Sequence, residues 1–113
     1  MTTEKQLVYL ACPYSNAFPM IEEQRFVAAN RAAARLMQFG VFVLSPISHS
    51  HPISRAGDLP IDWAYWEAYD RALIACCRKM VVLMLDGWKE SIGVQAEIKI
   101  AEEMLMPIEY MEP

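Results

Sequence analysis

Apolar positions along this chain follow two rhythms: short continuous runs, and longer stretches with a period near 3.6. The runs Leu7 to Cys12 (LVYLAC), Val41 to Leu44, Met80 to Leu85 (MVVLML) and Pro107 to Tyr110 read as strands. The first and third lack polar alternation, which marks strands buried on both faces of a parallel sheet. Between the runs the longer period takes over. Met20 to Phe39 reads as a helix with Glu22 and Glu23 in its first turn, Arg31 and Arg35 toward its end, and Gly40 in the C′ position. Its inner stripe is Phe26, Ala29, Ala33, Leu36 and Met37. Asp62, following Pro60, can cap a helix to about Cys76, with Trp63, Trp66, Asp70, Leu73 and Cys77 on one face. After the Asp86-Gly87 turn, Ser91 caps a last helix whose stripe is Val94, Ile100, Ala101 and Met104; Gln95, Lys99, Glu102 and Met106 lie opposite. Strands alternating with helices predict a three-layer α/β sandwich on a four-stranded parallel sheet, flavodoxin-like, in one domain spanning 1–113.

Two carboxylates sit where this patterning asks for apolar groups. Glu97 falls on the stripe of the last helix, and its neighbours three and four residues away are Gly93, Val94, Ile100 and Ala101, so the helix offers it no cation. A helical side chain leans toward the N-terminus, which places this carboxyl beside the end of the preceding strand, the ligand-binding edge of open α/β sheets. The plainer account is a glutamate at the rim of the core, satisfied by a backbone amide or a distant arginine. Asp70 is the second case: its i−3 neighbour is Glu67, a like charge, and its plainer account is pairing with Arg71 or Arg25. Tyr9 carries the one side-chain hydroxyl of the first strand and needs a partner if buried.

The stretch Ser45 to Pro60 (SPISHSHPISRAGDLP) is predicted to be the one long irregular segment, leaving the ligand-binding edge. Its H-x-H pair, His49 and His51, admits a metal reading, but no carboxylate or cysteine stands at matching spacing. Two loop imidazoles, or one histidine or Arg55 touching a ligand's base or phosphate, are the alternatives.

The 113 residues, 55% hydrophobic and 21% charged, exclude disorder as the default. A net charge of −4 without a Lys or Arg run argues against a nucleic-acid polymer or an anionic membrane as partner. No apolar segment approaches a membrane span and MTTEKQLVYL lacks a signal-peptide layout, so a cytoplasmic location is expected. Cys12, Cys76 and Cys77 form neither an even framework nor a C-x-x-C pair, and are expected to be reduced. Neither G-x-G-x-x-G after the first strand nor G-x-x-x-x-G-K-[ST] occurs, which removes the usual signals of dinucleotide-dependent redox and P-loop chemistry; G-x-S-x-G is missing too. A buried-face glutamate, a second acid, a strand tyrosine and the amides behind Ser91 suit substitution at an anomeric carbon, with no cofactor required.

The pieces VYLACPY, SPISHSHPI, DWAYWEAYD and LMLDGWKESIGVQAEI resemble the nucleoside 2-deoxyribosyltransferase superfamily, which includes the deoxynucleoside 5′-monophosphate N-glycosidases, and most of all its small branch of bacterial and phage proteins. The resemblance spans nearly the whole chain on few diagnostic positions. It implies Glu97 as nucleophile, Tyr9 as the hydroxyl bonded to it and Asp70 as the acid on the base side. Ser91 and Gly93 are expected at the 5′ end of the substrate, and Cys12, Tyr14, His49, Trp63 and Asp86 around it. Ser91, in S-x-G-x-Q-x-E, is similar to the serine that holds a 5′-phosphate in the nucleotide-cleaving branch. A hydroxyl and free amides at a helix N-terminus attract a dianion, whereas the aspartate of the transferases would repel it.

The implied partner is a small-molecule nucleoside or nucleotide, in a homo-oligomer (dimer or tetramer). Three departures stand out: Cys12-Pro13 replaces small residues beside the sugar, Gln95 replaces a glycine, and the polar residue that relatives contribute from a neighbouring subunit beyond the last strand is not expected in a sequence ending at Pro113. Two rivals follow, a nucleotide or nucleotide-sugar sensor without turnover, and a metal-dependent hydrolase using His49, His51 and an aspartate.

Overall fold

The computed structural model describes residues 6–113; the N-terminal stretch read above for targeting begins outside the described residues. The elements are β1 (Leu7–Ala11), α1 (Pro19–Gln38), β2 (Phe42–Leu44), α2 (Pro46–Gly57), α3 (Trp63–Ala75), β3 (Lys79–Leu83), α4 (Ile92–Glu103) and β4 (Ile108–Met111). All four strands are parallel in the order β2-β1-β3-β4, with Tyr9 in register with Leu44 on one side and Met80 on the other. This is the three-layer α/β sandwich the alternation of runs and periods predicts.

The strand alternation divides the core in two. Val8, Leu10, Val81 and Leu83 pack with Ala29, Ala32 and Ala33 of α1 and Ile47 of α2. Tyr9, Ala11, Met80 and Val82 pack with Ile74 of α3 and Val94, Ile100 and Ala101 of α4. The alanines of α1 bring that helix close to the sheet, while Met37, assigned above to the inner stripe, is 55% exposed. α1 ends in a turn closed by Gly40, at φ 82°, with Val41 N–H bonded to the Leu36 carbonyl at 3.1 Å. That six-to-one bond plus the left-handed glycine is the stop signal expected at C′.

Two further expectations need correction. Ser45 to Pro60 is not an irregular loop: Pro46 opens α2 at the first helical position, where its missing N–H costs nothing, and Asp58 closes it at φ 54°. Pro52 inside the segment forfeits a helical bond, and the buried residues are Pro46, Ile47, His51 and Ser54, a helical spacing masked because two of the four are polar. The stripe of α4 stops before Met104, because Leu105 turns left-handed at φ 56° and Met106 N–H bonds the Ala101 carbonyl at 2.9 Å. Met104 is thereby exposed and Met106 packs against the core, the reverse of the continued helical period. On α3 the predicted face holds, with Trp63, Leu73 and Cys77 packed against the core and Ile74 beside them fully buried. No helix among the described residues is long and apolar enough to cross a membrane.

Candidate functional site

β1 and β3 are neighbours in the sheet, yet the chain leaves β1 toward β2 and β3 toward β4. Where the order reverses, the loops after the two strands part and leave a crevice at their carboxyl ends. A cavity of about 590 Å³ occupies it, lined from one side by Cys12, Tyr14 and Arg25 and from the other by Trp63, Trp66, Asp70, Ser91, Gly93 and Glu97. That volume lies within the range of small-ligand pockets.

Glu97 is 5% exposed, and its one hydrogen-bond donor among the described residues is the hydroxyl of Tyr9, itself fully buried in the middle of β1. Burial pushes the Glu97 carboxyl up to about 8; the Tyr9 bond opposes that rise and the nearby Asp70 carboxylate adds to it. Burial likewise drives the Tyr9 hydroxyl well above its ordinary value, with Glu97 and Asp70 adding to the effect, so Tyr9 stays a donor. Asp70, carried by α3, is half-buried, and loss of water raises it to about 6. Neither arginine suggested for it is available: Arg71 pairs with Glu67 at 3.2 Å, and Arg25 is committed to backbone carbonyls. Among the described residues two carboxylates thus line one cavity with no cation paired to either, and the charge of Asp70 adds to the rise of Glu97.

The walls are built by local signals. Ser91 Oγ accepts from Val94 N–H at 3.1 Å as the N-cap of α4, leaving its own hydrogen for a ligand. Gly93 lies beside Trp63, where a methyl group would sit in ordinary contact at 3.8 Å, so its place on the wall is not dictated by crowding. Ser15 Oγ donates to the Ile61 carbonyl at 2.8 Å and straps the β1–α1 loop to the start of α3. Cys12 is buried against the same cavity, and burial pushes its thiol up to about 12, which removes it as a nucleophile.

Two residues singled out from the sequence lie elsewhere. His49 is exposed on α2, bonded to the Tyr69 hydroxyl at 2.9 Å and off the cavity wall. The Asp86 side chain is exposed, and only its backbone carbonyl takes part, accepting from Arg25 at 3.3 Å. Because α2 is helical, His49 and His51 point to different sides, and His51 is buried against Tyr14 and Glu23. Among the described residues no group of three or more His, Cys, Asp or Glu is placed to hold a metal ion.

Arg25 is the wall residue that sequence reasoning left as a possible mate for Asp70. Its guanidinium donates to the carbonyls of Tyr14 at 3.3 Å, Ser15 at 3.0 Å and Asp86 at 3.3 Å, tying the loop after β1 to the turn after β3. Gly87, at φ 90°, is pressed against it: a Cβ there would stand 2.8 Å from Nη2. The glycine in the Asp86-Gly87 turn was a sequence signal for the turn; its fit to Arg25 was not readable.

A protein-family model matches residues 6–113, and its description reads Domain of unknown function (DUF1937). No curated protein matches the chain.

Proposed function

This chain belongs to the DUF1937 family, whose description assigns no activity, and we propose that it cleaves the N-glycosidic bond of a nucleoside or nucleoside 5′-monophosphate through Glu97 as nucleophile. The observation that carries the proposal is a buried carboxylate held by a tyrosine hydroxyl, with a second acid on the same cavity wall and, among the described residues, no cation paired to either, in a cavity of nucleotide size. The resemblance to the nucleoside 2-deoxyribosyltransferases points the same way.

Glu97 holds its proton more tightly than Asp70 does. A sugar whose C1′ gains positive charge as its base departs favours the ionised form of the carboxylate beside it. Glu97 then attacks C1′, the base leaves with a proton supplied from the Asp70 side, and water or a second base releases the sugar. Tyr9 keeps the attacking oxygen aligned. Ser91 and the amides at the start of α4 receive the 5′ end, and Trp63 or Trp66 offers a ring for the base. The reaction calls on no cofactor, and a second copy of the chain is the proposed partner in a homo-oligomer.

A sensor that binds a nucleotide without turnover is the second reading, favoured by the proton Glu97 keeps at neutral pH, since a protonated carboxyl is a poor nucleophile. One experiment separates the two. The protein is incubated with a panel of nucleosides and 5′-monophosphates, with and without an acceptor base, and the products are resolved chromatographically. Free base from the wild type and none from Glu97→Ala supports the glycosidase; base exchange makes it a transferase. Thermal stabilisation by one panel member with no base release overturns the catalytic reading in favour of the sensor.

A further inference from the structure

A second hydrogen-bonded chain reaches the cavity from the other side of the sheet. Tyr14, in the loop after β1, lines the cavity, and its hydroxyl lies 2.5 Å from Nδ1 of His51 on α2. His51 is 3% exposed and locked in place: Phe26 stacks on it with ring centres 4.2 Å apart, and Tyr14 meets it edge-on. Its other nitrogen, Nε2, lies 3.2 Å from the carboxylate of Glu23, which is half-exposed on α1. Packing alone would be served at position 51 by an apolar side chain, with no hydrogen bonds to satisfy.

The chemistry of the three groups sets a direction. Ionised Glu23 only accepts, so Nε2 carries the hydrogen; in the singly protonated ring Nδ1 is then an acceptor, and the Tyr14 hydroxyl donates to it. A carboxylate holding one side of an imidazole while the other side faces a hydroxyl is arranged to draw the proton out of that hydroxyl. Around Tyr14 stand Glu22 and Glu23 from α1, Arg55 from α2, and Arg25, which bonds the Tyr14 carbonyl. Burial and the two carboxylates raise the hydroxyl while Arg55 lowers it. A standing phenolate is disfavoured, so the proton leaves only as His51 takes it.

Position allows that direction: Tyr14 and Glu97 line the same cavity from different elements, Tyr14 from the loop after β1 and Glu97 from α4.

We propose that Tyr14, backed by His51 and Glu23, is a further catalytic residue: it takes the proton of the water or base that releases the sugar from Glu97. This rests on the glycosyl-transfer reading above. In the step, the acceptor atom bonds C1′ as the bond from C1′ to the Glu97 oxygen breaks, and that electron pair returns to Glu97. The acceptor's proton goes to the Tyr14 oxygen while the Tyr14 proton passes to Nδ1, leaving an imidazolium paired with Glu23 that later gives its proton to solvent. His51 and Glu23 act through Tyr14 and are positioning residues.

The test follows wild type, Tyr14→Phe and Glu23→Gln with deoxyadenosine and its 5′-monophosphate as probes. Rapid quenching reads adenine release, and intact mass reads the sugar adduct on the protein. In Tyr14→Phe, adduct breakdown slows ~100-fold and adenine release less than ~3-fold, the size expected for loss of one proton-transfer group. Glu23→Gln, at a half-exposed site, slows breakdown ~10-fold and displaces the pH profile of breakdown but not of release. Breakdown unchanged in both variants, or release and breakdown slowed by equal factors, overturns the role of Tyr14 and leaves Glu97 as nucleophile. A wild type that yields neither adenine nor adduct overturns the glycosyl-transfer reading and the Tyr14 step together.

Discussion

Replacing Glu97 by glutamine should abolish turnover and make the protein more stable. Glutamine keeps the shape of the side chain and an oxygen to accept from Tyr9, but has no charge to bury. In the native protein Glu97 holds its proton up to about pH 8, against an ordinary value of 4.5. Between those two pH values the unfolded chain binds fewer protons than the folded one, so stability falls as pH rises. The full stability is present below about pH 4.5 and is lost as pH climbs through 8. At 1.36 kcal/mol per pH unit the penalty is roughly 3 kcal/mol at pH 7 and roughly 5 kcal/mol above pH 8. For a chain of this length that corresponds to a rise in Tm on the order of 10 °C for Glu97→Gln at pH 7. Melting both proteins from pH 4 to 9 by circular dichroism tests it: the advantage should vanish near pH 4.5 and widen toward pH 8. A variant no more stable than wild type at pH 8, or an advantage that does not change with pH, would refute the assignment of a costly buried acid. The glycosidase proposal accounts for so costly a residue, since active sites keep groups that stability alone would remove.

Tyr9→Phe removes the donor that opposes the upward displacement of Glu97, so the Glu97 titration, followed by the NMR shift of its side-chain carboxyl carbon, should move higher; a downward move contradicts the arrangement. Ser91→Ala should cost about 1 kcal/mol in urea unfolding through loss of the α4 cap, whereas Ser91→Asp keeps the cap and should weaken binding of 5′-monophosphates relative to nucleosides, read by calorimetry. Gly87→Ala puts a methyl group 2.8 Å from the Arg25 guanidinium at a left-handed backbone position; a loss of about 1–2 kcal/mol with reduced turnover is expected, and an unchanged Tm and rate would show that the Arg25 tie is dispensable.

Local information was enough for much of this molecule. The β-branched runs, the 3.6-residue stripes, the glycine after α1 and the Ser91 cap each operate within a few residues, and the sequence by itself determined the alternation of strands and helices and the parallel sheet they form. It also determined that Glu97 would lie on a buried face without a helical cation, because that follows from spacing alone. What bonds Glu97 was a matter for the tertiary structure: Tyr9 is 88 residues away, and only the pairing of β1 with β3 under α4 brings the two together. The same holds for Arg25, which joins the loop after β1 to the turn after β3, and for His51, which packs against Phe26 and Tyr14. α2 escaped notice because His51 and Ser54 interrupt its inward face beside Ile47, so its helical period carried little apolar signal. His49 and Asp86 left the candidate site for the complementary reason: a residue's type marks what it can do, but only the packing of elements distant in sequence decides which way it faces.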